Sequence, residues 1–123
     1  YFSLVDKIIE FMGNKTHVIY NVTVSVEPDI QAQWLSWMLE VHLRDMLATG
    51  CFLGFRFSEL SGAEDMGPTY TIQYELASPE DLERYEKEHA PAMRQKGQAL
   101  FGTRALAFRT TMRVIAAGSL RDQ

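Results

Sequence analysis

The 123-residue chain has one cysteine, Cys51, and it lacks both long apolar runs and clusters of basic residues. A single thiol excludes an intrachain disulfide and a cysteine-based zinc site, and it favours a reducing, cytoplasmic compartment. No apolar run approaches the length of a membrane-spanning helix, and the first residues lack the pattern of a signal peptide. No basic run with interleaved aromatic residues indicates nucleic-acid binding. These absences predict a small cytoplasmic protein that binds neither membranes nor nucleic acid.

The charges are distributed unevenly along a chain of otherwise ordinary globular composition, with 46% apolar and 23% charged residues. Residues 1–89 contain 6 basic and 15 acidic side chains, whereas residues 90–123 contain 6 basic and 1 acidic. Two interpretations are open. The acids can simply occupy a helix N-terminus while arginines occupy the last strand. Alternatively, the arginines bind an anionic ligand.

The chain resembles itself, because residues 33–50 and residues 80–97 align as two copies of one pattern. Each copy has helical periodicity, carries a histidine and ends at a glycine eight residues later. Strand-like runs flank each copy, so the repeat predicts two β-α-β units in series. The aligned pairs are Leu35/Leu82, His42/His89, Met46/Met93 and Gly50/Gly97.

Alternation of apolar and polar residues, strict in the first case, predicts four strands, over residues 17–27, 51–60, 69–76 and 104–115. Asp29 is the expected N-cap of a first helix, which ends before Gly50. Ser78 and Pro79 begin a second helix, which Pro91 kinks or restarts. This order predicts a ferredoxin-like α+β fold: a four-stranded antiparallel sheet, in the order 4-1-3-2, with both helices on one face.

The predicted domain spans residues 17–116. Residues 1–16 form an N-terminal extension, either added to the natural chain or a short docked helix, and residues 117–123 form a frayed tail. The apolar faces of the strands, including Leu106, Phe108 and Met112 of the last strand, are expected to meet the helices.

The other face of the sheet is predicted to carry a band of polar residues from all four strands. Water can cover such a face, or two sheets can meet there across a two-fold axis and enclose a polar cavity. Such a cavity would favour a small anionic or carbonyl-bearing ligand, because a guanidinium binds these oxygens with a planar fork. Alternatively, Glu75 neutralises Arg56 or Arg109 and fixes the register of the dimer. The predicted ligand-binding residues are Asn21, Arg56, Gln73, Glu75 and Arg109.

The stretches VIYNVTVSV, WLSWMLEVHLRDMLATGCF, YTIQYEL, ERYEKEHAPAMRQKG and AFRT resemble a family of small bacterial proteins of unknown function. The resemblance implies a dimeric α+β barrel and lends no activity. More distantly, the chain is similar to the antibiotic-biosynthesis monooxygenases and their haem-degrading relatives, which use a strand asparagine, a helix histidine and a tryptophan. Asn21 and His89 match two of these positions. Trp34 and Trp37 lie on the first helix instead, where core or dimer packing is expected.

His42 and His89 are the candidate catalytic residues, with burial in the core as the alternative. Glu86 and His89 have the spacing of a di-metal carboxylate motif, but Leu39 occupies the matching place before His42, so no metal site is predicted. No cofactor is predicted either. The sequence therefore predicts a cytoplasmic homodimer that binds a small molecule or serves a structural role, and it leaves enzyme status open. The alternative is a cofactor-independent monooxygenase or a haem-binding enzyme.

Overall fold

The computed structural model describes Ser3, residues 17–62, Asp65 and residues 67–120. The predicted N-terminal extension, apart from Ser3, lies outside the described residues, as does the end of the predicted tail. In the described part, the elements follow the predicted order β-α-β-β-α-β. The strands are β1 (Val18–Val26), β2 (Gly54–Glu59), β3 (Thr69–Leu76) and β4 (Ala105–Arg113).

The first helical stretch is continuous but not uniform. It opens with a 3-10 turn (Pro28–Ile30), continues as α1 (Gln31–Trp37), widens into a π-helical segment (Met38–His42) and ends as α2 (Leu43–Ala48). The prediction that Asp29 is the N-cap was wrong. Glu27 holds that position without a side-chain cap, and the Asp29 carboxylate pairs with Arg104. Gly50 ends the stretch with a positive φ of 76°, as predicted.

The second helical stretch is divided into α3 (Pro79–Glu88) and α4 (Ala90–Phe101). The Ser78 side chain caps α3 by accepting a hydrogen bond from the Asp81 backbone N–H, as the sequence predicts. The break lies at His89, whose φ of −125° leaves the helical region, two residues before Pro91. A proline has no N–H to donate, so the chain ends one helix and starts another.

The sheet is antiparallel with the order β2-β3-β1-β4, which confirms the predicted order. Antiparallel partners point to the same face, so the register assigns every side chain. Tyr20 faces Tyr74, and Val22 faces Ile72, on the side that carries the helices. Tyr20, Tyr74 and Ile72 form a buried core with Trp34, Met46 and Leu76, and Val22 is partly buried against it. We call the opposite side of the sheet the open face.

The predicted orientation of β4 was wrong. Arg109 pairs with Val22 and therefore lies on the helix side, whereas Phe108 pairs with Thr23 on the open face. Leu106, Phe108 and Met112 are 53%, 67% and 41% exposed, instead of packing against the helices. The buried ring of Phe101 holds the end of α4, and the Glu27 N–H donates to the Arg104 carbonyl, which fixes where β4 begins. A one-residue change of register inverts an entire strand.

Gly97 and Gly102 provide a matched pair of substitutions in and after α4. A Cβ on Gly97 would lie 3.5 Å from the Trp37 ring, an ordinary van der Waals contact, whereas Gly102 has a φ of +55° with open space around it. We expect Gly97→Ala to raise the free energy of unfolding by about 1 kcal/mol, because alanine is the better helix former. Gly102→Ala should lower it by about 1 to 2 kcal/mol. Urea denaturation measures both, and a Gly97→Ala variant less stable than the natural chain would contradict the packing described.

Candidate functional site

A cleft lies between the helix side of the sheet and the helices. Its volume is about 500 Å³, within the range of small-molecule sites. We call it the helix-side cleft. Residues from β1, β3 and β4 form its floor, and the first helical stretch, Tyr85 of α3 and much of α4 form its walls.

Small side chains at the edge strand create part of this space. Ala105 and Ala107 lie on the helix side of β4, opposite Val26 and Val24 of β1. Each fills little of the gap between β4 and α4, where Gly97 and Gly102 also line the cleft. The cleft therefore exists because β4 directs its small side chains towards the helices and its bulky apolar side chains to the open face.

Aromatic rings dominate one end of the helix-side cleft. Tyr20 lies 6.0 Å from Tyr74 and 5.6 Å from Tyr85 between ring centroids, and Phe52 packs 4.9 Å from each of the latter two. Burial raises the pKa of the Tyr74 and Tyr85 hydroxyls well above the ordinary value. These phenols are therefore neutral at physiological pH and can act as hydrogen-bond donors.

His42 lines the cleft at the end of the π-helical segment, a type of irregularity that is frequent at functional sites. Its ring stacks on Trp37 at 4.7 Å, and its Nδ1 is buried without a hydrogen-bond partner among the described residues. Burial is the main cause that lowers its pKa to about 4; Lys96 and Arg109 act in the same direction and Asp45 opposes them. The imidazole is thus neutral at pH 7.

The two histidines of the repeat have different surroundings. His42 contacts the cleft, whereas His89 lies at the break between α3 and α4, with its ring 6.5 Å from that of Tyr85 and outside the described cleft lining. Asn21 lies on the open face and donates to the hydroxyls of Thr23 and Thr110 at 3.2 Å. The sheet therefore separates Asn21 from the helices, so Asn21 and His89 do not lie in one site among the described residues.

Four of the five predicted ligand-binding residues lie on the open face as expected. Arg56 pairs with Gln73, and Gln73 pairs with Asn21, so these three residues form one row across the sheet. Glu75 lies two residues further along β3, on the same face. Arg109 is the exception, because it lies in the helix-side cleft, and Thr110 takes its place in the band. Glu75 pairs with neither arginine in the described residues; its carboxylate lies 3.9 Å from the His17 Nδ1 instead.

Sequence reasoning missed Tyr20, Tyr85 and Arg94 as parts of a site. Arg94 lies on α4, where its Nη2 donates to the Tyr20 hydroxyl at 2.9 Å and contacts the Glu86 carboxylate oxygens at 2.9 and 3.1 Å. The sequence offered one signal for this site: several tyrosines occupy positions that face the core. A buried phenol needs a polar partner, so a polar group was to be expected beside them.

Metal ligation and membrane insertion receive no support from the described residues. They contain no group of three or more histidine, cysteine, aspartate or glutamate side chains placed to hold a metal ion. The helices among them are also too short or too polar to cross a bilayer.

One protein-family model matches the chain over residues 17–115, and its description is a domain of unknown function, DUF4286. No curated protein matches the chain.

Proposed function

We propose that this protein, which belongs to the DUF4286 family, binds a small organic anion with an apolar body in the helix-side cleft. The observation that carries the proposal is the lining itself. Apolar and aromatic residues surround a cavity of about 500 Å³, and its lining includes two arginines, Arg94 and Arg109. Ligand sites are mostly apolar, with a few polar groups that orient the ligand. A binding role fits these residues better than catalysis, because the neutral His42 is a weak base at pH 7.

The two tryptophans of the chain give a direct measurement, because Trp34 and Trp37 both line the cleft. We expect 2-naphthoate or octanoate to change tryptophan fluorescence saturably and to raise the melting temperature. Failure of every member of a broad panel of aromatic and aliphatic acids to do either would contradict the proposal.

A substitution that fills the cleft locates the binding. Ala107 lies on its floor, and Ala107→Phe should weaken binding of the acid at least tenfold by occupying that space. Ala99→Phe is the control, because Ala99 is exposed on α4 and lies outside the described lining. Equal binding by the natural chain and Ala107→Phe would place the ligand elsewhere.

We also propose that a second copy of the chain covers the open face, as the predicted α+β barrel requires, and that the protein acts in the cytoplasm, where its one buried cysteine stays reduced. Three exposed apolar side chains of β4 support self-association: Leu106, Phe108 and Met112. Charges of both signs lie on the same face, Arg56 on β2 and Glu75 on β3, and they do not pair with each other. A two-fold axis can place Arg56 of one chain beside Glu75 of the other.

Phe108→Glu tests this dimer. Sedimentation at micromolar concentration should give a dimer for the natural chain and a monomer for Phe108→Glu, because the substitution places a charge in an apolar contact. Leu39→Glu is the control, since Leu39 is 59% exposed on the first helical stretch, away from the sheet. A monomeric natural chain would contradict the proposal.

A further inference from the structure

The two arginines of the helix-side cleft differ in the partners they already have. The guanidinium of Arg94 already has partners: its Nη2 contacts both carboxylate oxygens of Glu86 and donates to the Tyr20 hydroxyl. This ion pair neutralises the charge of Arg94, and the bonds connect α3, α4 and β1. A ligand anion that took over Arg94 would have to displace Glu86, so it would gain little.

Arg109 has its charge available. Among the described residues, no carboxylate lies within ion-pair distance of its guanidinium and no other side chain forms a hydrogen bond with it. It is exposed on the helix side of β4, next to the small side chain of Ala107. Its position suits a cation at the mouth of the cleft, with the apolar lining beyond it.

The field of Arg109 extends across the cleft. Burial is the main cause of each shift, and Arg109 is a smaller one: it helps to lower the pKa of His42 and opposes the raised pKa of Tyr74 and of Tyr85. No acidic residue lies in the described lining, so this positive charge is not cancelled there. His42 is neutral at pH 7, which leaves one uncompensated cation for a ligand.

We infer that the ligand of the cleft is a monoanion whose single carboxylate is bound by the guanidinium of Arg109, while its apolar body enters the cleft. The inference rests on the proposed function and adds the charge of the ligand and the residue that selects it. A guanidinium offers a carboxylate two parallel hydrogen bonds, which fixes the orientation of the ligand as well as its charge. A second acidic group would enter an apolar cleft without a free cation and would therefore oppose binding.

The test compares three naphthalene probes by tryptophan fluorescence: 2-naphthoate, neutral 2-naphthalenemethanol and 2,6-naphthalenedicarboxylate. The natural protein should bind the monoanion most tightly. Arg109→Gln should weaken 2-naphthoate about 10- to 100-fold, the range expected for hydrogen bonds to a charged group, and leave the neutral alcohol within about twofold. Arg113→Gln is the matched control, because Arg113 lies on the same face of β4 but outside the described cleft lining. It should bind both probes normally.

Each other outcome has its own meaning. If Arg109→Gln binds 2-naphthoate as tightly as the natural protein, or if the dicarboxylate binds more tightly than 2-naphthoate, the inference is overturned while the cleft remains a site. Loss of 2-naphthoate binding in Arg56→Gln but not in Arg109→Gln would place the anion on the open face and overturn it as well. If the natural protein binds no acid at all, the proposed function fails with it. Thermal denaturation of each variant confirms that it is folded.

Discussion

Tyr74→Ala is expected to lower the free energy of unfolding by about 3 to 5 kcal/mol, the range for truncating a buried aromatic ring. Tyr74 is 1% exposed at the centre of the sheet. Its ring lies 4.9 Å from that of Phe52, 6.0 Å from that of Tyr20 and 6.4 Å from that of Phe55. Removing it leaves a void beside the helix-side cleft and takes away contacts with three rings at once. Urea denaturation followed by circular dichroism measures the loss.

Tyr74→Phe is the control for this substitution. It keeps the ring and its contacts, so most of the stability should remain. If Tyr74→Ala lost less than about 1 kcal/mol, the ring would not be packed as described. A loss as large in Tyr74→Phe would show that the hydroxyl, rather than the ring, carries the stability.

β1 and β3 could be predicted from the sequence because both strands are central and have one apolar face against the helices. β3 occupies residues 69–76 as predicted, and β1 differs by one residue at each end. In such strands burial and alternation agree, so periodicity alone assigns the faces. Tyr20 and Tyr74 accordingly lie where alternation places them.

β4 follows a different rule, because it is an edge strand in the described sheet. The assumption that the bulkier alternating set faces the helices failed there. Phe108 faces the open side and Arg109 faces the cleft. Alternation divides the side chains of a strand into two sets on opposite faces, but it does not say which set faces the helices. The direction depended on where the chain leaves α4, at Phe101 and Gly102, which no local pattern in β4 encodes.

The helix-side cleft could not be predicted from the sequence for the same reason. Asn21, Arg56, Gln73 and Glu75 lie together as expected, but the cavity is on the other side of the sheet with Arg109. The π-helical segment that ends at His42 also has no signature in the sequence. It depends on backbone hydrogen bonds between residues five apart instead of four, such as the bond from the Leu43 N–H to the Met38 carbonyl.

His42 should make the protein less stable in acid. Its pKa is about 4 in the folded state against 6.5 in the unfolded chain, so the unfolded state binds more protons between these values. The stability that His42 contributes is fully present above pH 6.5 and is lost as the pH falls to 4. A difference of this size corresponds to roughly 3 kcal/mol.

His42→Phe isolates this contribution, because it keeps an aromatic ring against Trp37 and removes both the titration and the unpartnered Nδ1. Urea denaturation at pH 7 and pH 4.5 should show a fall in stability that is about 2 to 3 kcal/mol smaller in His42→Phe than in the natural chain. Carboxylates also titrate in this range, but they are common to both proteins and cancel in the comparison. An NMR titration of the His42 ring provides the independent measurement. Equal losses in the two proteins, or a ring that titrates near 6.5, would show that the imidazole is not held neutral by burial in the wall of the cleft.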